Sequence, residues 1–210
     1  MTDVQRLRIL VIGASGTLGR AIVDELKPRH EIITAGSKSG DVRIDVSDPA
    51  SIVAGLATAG PLDAVAFAAG KVKFAPLADF APATIAQSGY GLGIADKLMG
   101  QVNVTLAARD HLRDGGSITL VTGILTDQPI VQGTSASMVN GAIEAFARAA
   151  AIELPRRLRI NVVNASVFDE AMAKYGPYFR GFDPVPVARA ARAFSRSVEG
   201  AQTGQVFFVR

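Results

Sequence analysis

Two periods of apolar spacing alternate along this chain. Leu7–Ile12 is an apolar run broken only by Arg8 and bounded by glycine, as expected of a strand buried on both faces. Over Thr17–Lys27 the spacing changes: Leu18, Ile22, Val23 and Leu26 fall on one helical face, and Pro28 ends it. The same switch recurs. Glu31–Ala35, a weak Val42–Ile44, Ala64–Ala68, Ser117–Val121, Leu158–Val163 and Gln205–Val209 read as strands. Pro49–Ala59, capped by Asp48 or Ser47, reads as a helix, as do Ser135–Leu154 and Val185–Ser197. Residues 82–113 predict one or two helices, broken near Gly89, Gly91 and Gly93. Strands separated by helices require crossover connections, hence parallel pairing. The expectation is one α/β domain over residues 1–210: a doubly wound parallel seven-stranded sheet with helices on both faces.

Composition narrows the chemistry. The 210 residues are 49% hydrophobic and 20% charged, which fits a self-sufficient core and excludes disorder. With no cysteine, a disulfide scaffold, a thiolate metal site and a thiol nucleophile are out; two histidines exclude a histidine-rich metal site. The net charge is +3 and the basic residues are scattered, so no nucleic-acid stripe is present. No apolar stretch reaches the roughly 20 residues that span a bilayer. The polar opening Met1–Arg8 leads straight into a strand and does not read as a signal peptide, so a soluble cytoplasmic protein is expected.

The segment Ile9–Gly19 places Gly13, Gly16 and Gly19 between the first strand and the first helix, the setting of a dinucleotide fingerprint. Gly13 serves the tight turn, Gly16 the approach of a pyrophosphate, and Gly19 the close packing of helix on strand. Ser15, Thr17 and Leu18 complete the loop, and the helix N-terminus adds free N–H groups and positive dipole. An NAD site places an acid at the end of the second strand. Here that position reads Gly36, Ser37, Lys38. A serine hydroxyl and an ammonium suit a 2′-phosphate, which favours NADP; a solvated turn with an incidental lysine is the alternative.

These motifs resemble the short-chain dehydrogenase/reductase family over nearly the full length. Gly13–Gly19 matches its glycine loop, and Asp45-Val46 the pair whose acid reaches the adenine amino group. Ala68-Ala69-Gly70 stands in the turn after the fourth strand, and Gly116-Ser117-Ile118 opens the fifth. Ser135–Leu154 is similar to its long active-site helix, Arg159–Val163 to its sixth strand, and Thr203–Val206 to its closing strand. The opening Ile12–Gly19 and the stretch Pro129–Gly133 resemble a small bacterial subgroup that keeps the glycine loop and lacks the usual Ser-Tyr-Lys residues. The resemblance implies NADP(H) binding, and a homodimer or homotetramer assembled through the long helices, where alanines of Ser135–Leu154 allow close approach.

The departures bear on catalysis. In the family's register, Gly123 replaces the serine, Ala136 the tyrosine and Asn140 the lysine, while Lys97 stands for a helix asparagine. Lys97, Thr122 and Asn140 are therefore the candidate catalytic residues. A lysine in a partly dry pocket can act as an acid or place charge beside a developing alkoxide; a surface lysine on an amphipathic helix is the bland alternative. Tyr175 and Tyr178 could reach the pocket from the loop after the sixth strand or simply pack it. Asp127 and Gln128 could face it, and Glu170 stands near a family contact to the carboxamide. Ser135 could orient a ligand or cap its helix. His30 and His111 read as solvent-facing. Two functions follow: an oxidoreductase with a substituted tetrad and no evident substrate, or a non-catalytic NADP(H) sensor or scaffold.

Overall fold

The computed structural model describes residues 6–210; the polar opening Met1–Gln5 lies outside them. Seven strands, β1 (Arg8–Ile12), β2 (Glu31–Gly36), β3 (Val42–Arg43), β4 (Leu62–Phe67), β5 (Leu112–Gly123), β6 (Arg159–Ala165) and β7 (Val206–Val209), form one sheet in the order β3-β2-β1-β4-β5-β6-β7. Every pairing is parallel. The helices are α1 (Thr17–Leu26), α2 (Pro49–Ala59), α3 (Met99–Ala108), α4 (Thr134–Glu153), α5 (Met172–Tyr175) and α6 (Val187–Glu199).

Strand alternation divides the core. Leu10, Ile12, Val65, Phe67, Ile118 and Leu120 point to one face, where Ile52 and Leu56 of α2, Val104 of α3 and Ile143 of α4 cover them. Ile9, Val11, Ala64 and Ala66 point to the other, under Ile22 of α1 and Phe194 of α6. This double burial is why the central strands are apolar throughout. The chain runs outward from β1 to β3 and then returns to place β4 beside β1. A crevice opens at that reversal, beyond the carboxyl ends of β1 and β4.

Several local expectations change. Residues 82–90 do not form a helix: Thr84 accepts from Gln87 N–H at 3.0 Å and the chain turns. Gly89 lies against Phe80, whose ring stacks on Tyr90 at 4.5 Å, so side-chain packing replaces helical bonding. Helical structure begins at Gly91 and passes through a wide π turn, Gly93–Leu98, into α3. Asp48 caps α2, accepting from Ala50 N–H at 2.9 Å. Ser135 does not cap α4; Gly133 stands at the cap without a side-chain bond, and Ser135 is buried within the first turn.

His30 is buried rather than solvent-facing, because the α1–β2 junction packs under α6. Its Nδ1 accepts from Leu7 N–H at 3.3 Å and its Nε2 lies 2.8 Å from Glu199 Oε1. Burial pushes the Glu199 carboxyl up, but hydrogen bonds from Arg29, His30 and Ser195 outweigh it and hold the group below its ordinary range.

Candidate functional site

The glycine loop fills the start of the crevice with backbone. Gly13 has φ +83°, and a Cβ there would lie 2.7 Å from Ala68 O. A Cβ on Gly19 would come within 2.1 Å of Gly13 O, so α1 can rest on the turn only without a side chain. Gly16 caps α1 and no side chain bonds its first turn. The N–H groups of that turn are thus left for an anion, with the helix dipole behind them. Ser15 and Thr17 are exposed around this end.

A hollow of about 240 Å³ continues from the loop, lined by Gly13, Ser15, Ser37, Asp45, Val46, Ala69 and Gly70 among others. Asp45 accepts from Ser47 Oγ at 2.7 Å and Ser47 N–H at 3.0 Å, bonds that hold its carboxyl below the usual range. Ser37 borders the hollow; Lys38 does not line it and is exposed on the turn beyond.

Ala69, Gly70 and Lys71 are shared with a larger cavity of about 530 Å³ that also touches Leu18 and Ala68. Lys97, Thr122, Gly123, Ala136 and Asn140 all line it, although they come from the π turn, β5 and α4. Asn140 is 2% exposed; its Nδ2 donates to Gly123 O at 3.3 Å while its Oδ1 has no partner. Lys97 is half-buried and lies on the cavity lining. Burial lowers the pKa of its ammonium to about 8, against a small opposing effect of Asp96. Such an ammonium can give up a proton near neutral pH.

Other candidates fall elsewhere. Tyr175 lines the cavity, whereas Tyr178 packs on Phe74 at 5.5 Å. Asp127 does not face the cavity but pairs with Arg210 at 2.8 Å, and Gln128 is exposed. Glu170 is not free for a carboxamide: both its oxygens accept from Val187 N–H, at 3.1 and 3.2 Å, at the start of α6. Ser135 and Ser137 have buried hydroxyls without partners, outside the cavity lining.

Two buried polar residues matter that the sequence does not single out. Glu144, 3% exposed, lies one turn beyond Asn140. Its Oε1 accepts from Thr122 Oγ1 at 2.8 Å, Thr126 Oγ1 at 3.1 Å and Asn164 Nδ2 at 2.6 Å. The Thr122 hydroxyl proton is thereby spent on Glu144, and its lone pairs remain for other donors. Gln101, fully buried, accepts from Val121 N–H at 2.7 Å and donates to Val121 O at 3.1 Å. It satisfies the strand end where β5 outruns β4. The signal for Glu144 was the stripe Ala136, Asn140, Ile143, Ala147: a carboxylate at position 144 of that stripe faces inward.

Among the described residues, no cluster of three or more His, Asp or Glu could hold a metal ion, and no helix is long and apolar enough to cross a membrane. The family profile described as Enoyl-(Acyl carrier protein) reductase matches residues 18–208. The solved structure of protein lin1944 from Listeria innocua is similar with TM-score 0.93 and 48% identity, covering 97% of this chain and 100% of that one. A small-chain dehydrogenase solved in complex with NADPH shares the fold, with TM-score 0.83 and 21% identity over 98% of this chain and 97% of its own. An uncharacterized oxidoreductase of Methylorubrum extorquens is 31% identical over 140 residues, 63% of this chain and 54% of that relative, so the chain spans about half the length of the curated relative. With its sheet order, its glycine loop and a profile match over most of its length, the chain belongs to the short-chain dehydrogenase/reductase family.

Proposed function

We propose that the chain is an NADP(H)-dependent oxidoreductase acting on a carbonyl or alcohol, with a proton relay rebuilt around Lys97. One observation carries this reading: the glycine loop opens, through Ala69-Gly70-Lys71, into a cavity lined by Lys97, whose ammonium has no ion-pair partner among the described residues. The residues fit the cofactor, because the cradle at Gly13 and Gly19 admits no side chain and the first turn of α1 is uncapped. Gly13, Gly16, Gly19, Ser15, Thr17 and Leu18 would hold the diphosphate. Ser37 and Lys38 would meet a 2′-phosphate, and Asp45 and Val46 the adenine, with Ala68, Ala69 and Gly70 under the middle of the molecule. When bound, the nicotinamide supplies or takes a hydride. The chain's own part is to orient the substrate and manage its proton. Lys97 gives or stabilises the proton at the substrate oxygen, Asn140 accepts from a substrate hydroxyl once its enclosed amide turns toward the cavity, and Glu144 fixes the direction of Thr122.

The test pairs two measurements. NADPH fluorescence should change on titration with the protein, and Lys97→Met should abolish turnover while cofactor affinity stays within about threefold. Absence of any fluorescence change up to millimolar cofactor would end the reading. A second reading, a non-catalytic NADP(H) sensor or scaffold, is favoured by Ala136, which lines the cavity where relatives carry the proton-donating tyrosine. Cofactor binding without turnover on any carbonyl or alcohol would select it.

We also propose a homodimer or homotetramer joined through α3 and α4. These helices flank an outer groove of about 500 Å³, lined by Leu106, Phe146, Ala149 and Ala150 among others. Leu106 is exposed on the groove and Ile152 further along α4. A monomeric mass by light scattering would overturn this.

A further inference from the structure

The larger cavity has an unbalanced charge. Three lysines line it, Lys71, Lys97 and Lys174, and no carboxylate does. The carboxylates nearest in the chain are committed elsewhere. Asp96 accepts from Lys71 N–H at 2.6 Å, and Glu144 Oε1 is filled by Thr122, Thr126 and Asn164. Among the described residues Lys97 has no ion-pair partner, and the only charge acting notably on it is that of Asp96, its chain neighbour. The same lining holds a second unmet demand: Asn140 Oδ1, buried and without a donor among the described residues. The rest of the lining is largely apolar, with Val72, Phe74, Leu125 and Phe179 forming one side. A cationic floor, an orphan acceptor and an apolar wall describe a ligand with an anionic head next to an exchangeable oxygen and a hydrocarbon tail.

We infer that the cavity is built for a 2-oxo acid with an apolar side chain, and for the matching 2-hydroxy acid in the reverse direction. A 2-oxo acid carries its keto oxygen and a carboxylate oxygen on adjacent carbons, so one ammonium can donate to both. Lys97 fills that place. The hydroxyl of the reduced acid needs an acceptor, and Asn140 supplies it once its enclosed amide turns toward the cavity. The tail lies along Phe74 and Phe179, and Lys174 at the rim adds attraction for the anion. With a reduced nicotinamide bound to supply the hydride and be oxidised in turn, reduction to the 2-hydroxy acid would need one proton at the keto oxygen; Lys97 would give that proton and recover it from solvent water. A neutral ketone would leave the ammonium unpaired and bind less well. This inference rests on the cofactor reading above for its reaction, but not for the acid site itself.

The test is calorimetric and needs no turnover. The protein, alone and saturated with NADP+, is titrated with 4-methyl-2-oxopentanoate and with 4-methylpentan-2-one, which differ only in carboxylate against methyl. The acid should bind about 10–100-fold tighter, the range of a charge-assisted bond. In Lys97→Met the preference should fall below about threefold, with NADP+ affinity little changed. Equal affinities for acid and ketone in the unsubstituted protein overturn the inference. So does a preference that survives in Lys97→Met, or a Lys97→Met variant that loses NADP+ and keeps the preference, which would assign the ammonium to a cofactor phosphate. Should NADP+ fail to bind while the chain alone still prefers the acid, the cofactor reading falls and the acid site stands.

Discussion

The two ends of the cleft are made of different material. At the cradle over α1, main chain does the shaping: Gly13 and Gly19 bring the turn, the helix and Ala68 closer than any side chain allows. At the cavity beyond β5, side chains do it: Lys97, Thr122, Asn140 and Glu144 converge from separate elements. The first kind of site has little freedom, because its open donors are N–H groups common to every residue and the steric rule is absolute. The second can be rewritten residue by residue while the fold stands. A fold built this way can keep its loop while the residues of its cavity change.

The largest effect should come from adding one methyl to the cradle. Gly19→Ala places a Cβ into Gly13 O and should cost about 3 kcal/mol or more, lowering Tm by about 6–12 °C, with cofactor binding lost. The matched control is Gly123→Ala, in the cavity. There the backbone is extended and the new Cβ meets Ala165 O at 3.5 Å and Asn140 Nδ2 at 3.7 Å, ordinary contacts. It should change stability by no more than about 0.5 kcal/mol. Thermal melts and NADPH titration of both variants check the pair; similar Tm losses would erase the distinction.

Next is the carboxylate behind the cavity. Glu144→Ala strands the Thr122 and Thr126 hydroxyls and the Asn164 amide and leaves a void, at a cost of roughly 2–4 kcal/mol. Glu144→Gln keeps an acceptor and should cost roughly 1 kcal/mol. Both variants should bind NADP+ nearly as before and lose affinity for the cavity ligand, because Thr122 is no longer held. Urea unfolding and the calorimetric titration read the two effects separately. Loss of cofactor binding in Glu144→Gln would show that the halves are coupled.

The same contrast explains what could be read before the fold was known. The cradle is local: three glycines, a strand and a helix lie within Ile9–Gly19, and the parallel sheet follows from apolar runs such as Leu10–Ile12. The cavity is assembled across long sequence separations. Lys97 and Asn140 are placed there only through a family register, and Glu144 belongs to no motif of its own. Its burial becomes evident only when the inward stripe of α4 is traced through Asn140. His30 reads as solvent-facing for a related reason: its partner, Glu199, lies at the far end of the chain. Residues 82–90 have helical content but three nearby glycines, and the Phe80–Tyr90 stack decides in favour of turns.

Lys97 gives a smaller effect with a sign that depends on pH. Its folded value of about 8 lies below the ordinary 10.5, so between these the unfolded chain binds more protons and stability rises with pH. The penalty for enclosing the ammonium is complete below pH 8 and gone above 10.5. Lys97→Met should therefore be more stable than the parent by about 1–3 kcal/mol near pH 7, with the gap closing by about pH 10. Urea midpoints at the two pH values measure it. A gap that does not narrow would mean the ammonium is well solvated, and with it the dry floor of the cavity would be lost.

The smallest effect tests the one place where the cradle end depends on a side chain. Lys38 is exposed and does not line the hollow, so its charge acts across solvent on a 2′-phosphate. Lys38→Gln should weaken NADP+ by about 3–5-fold, under about 1 kcal/mol, and leave NAD+ unchanged. The difference should shrink as salt is raised, since the interaction is screened. Equal losses for both cofactors would place Lys38 on the diphosphate instead. No loss for either would make it a solvated turn residue, and the discrimination would then fall to Ser37, which already borders the hollow and whose hydroxyl feels far less of the salt.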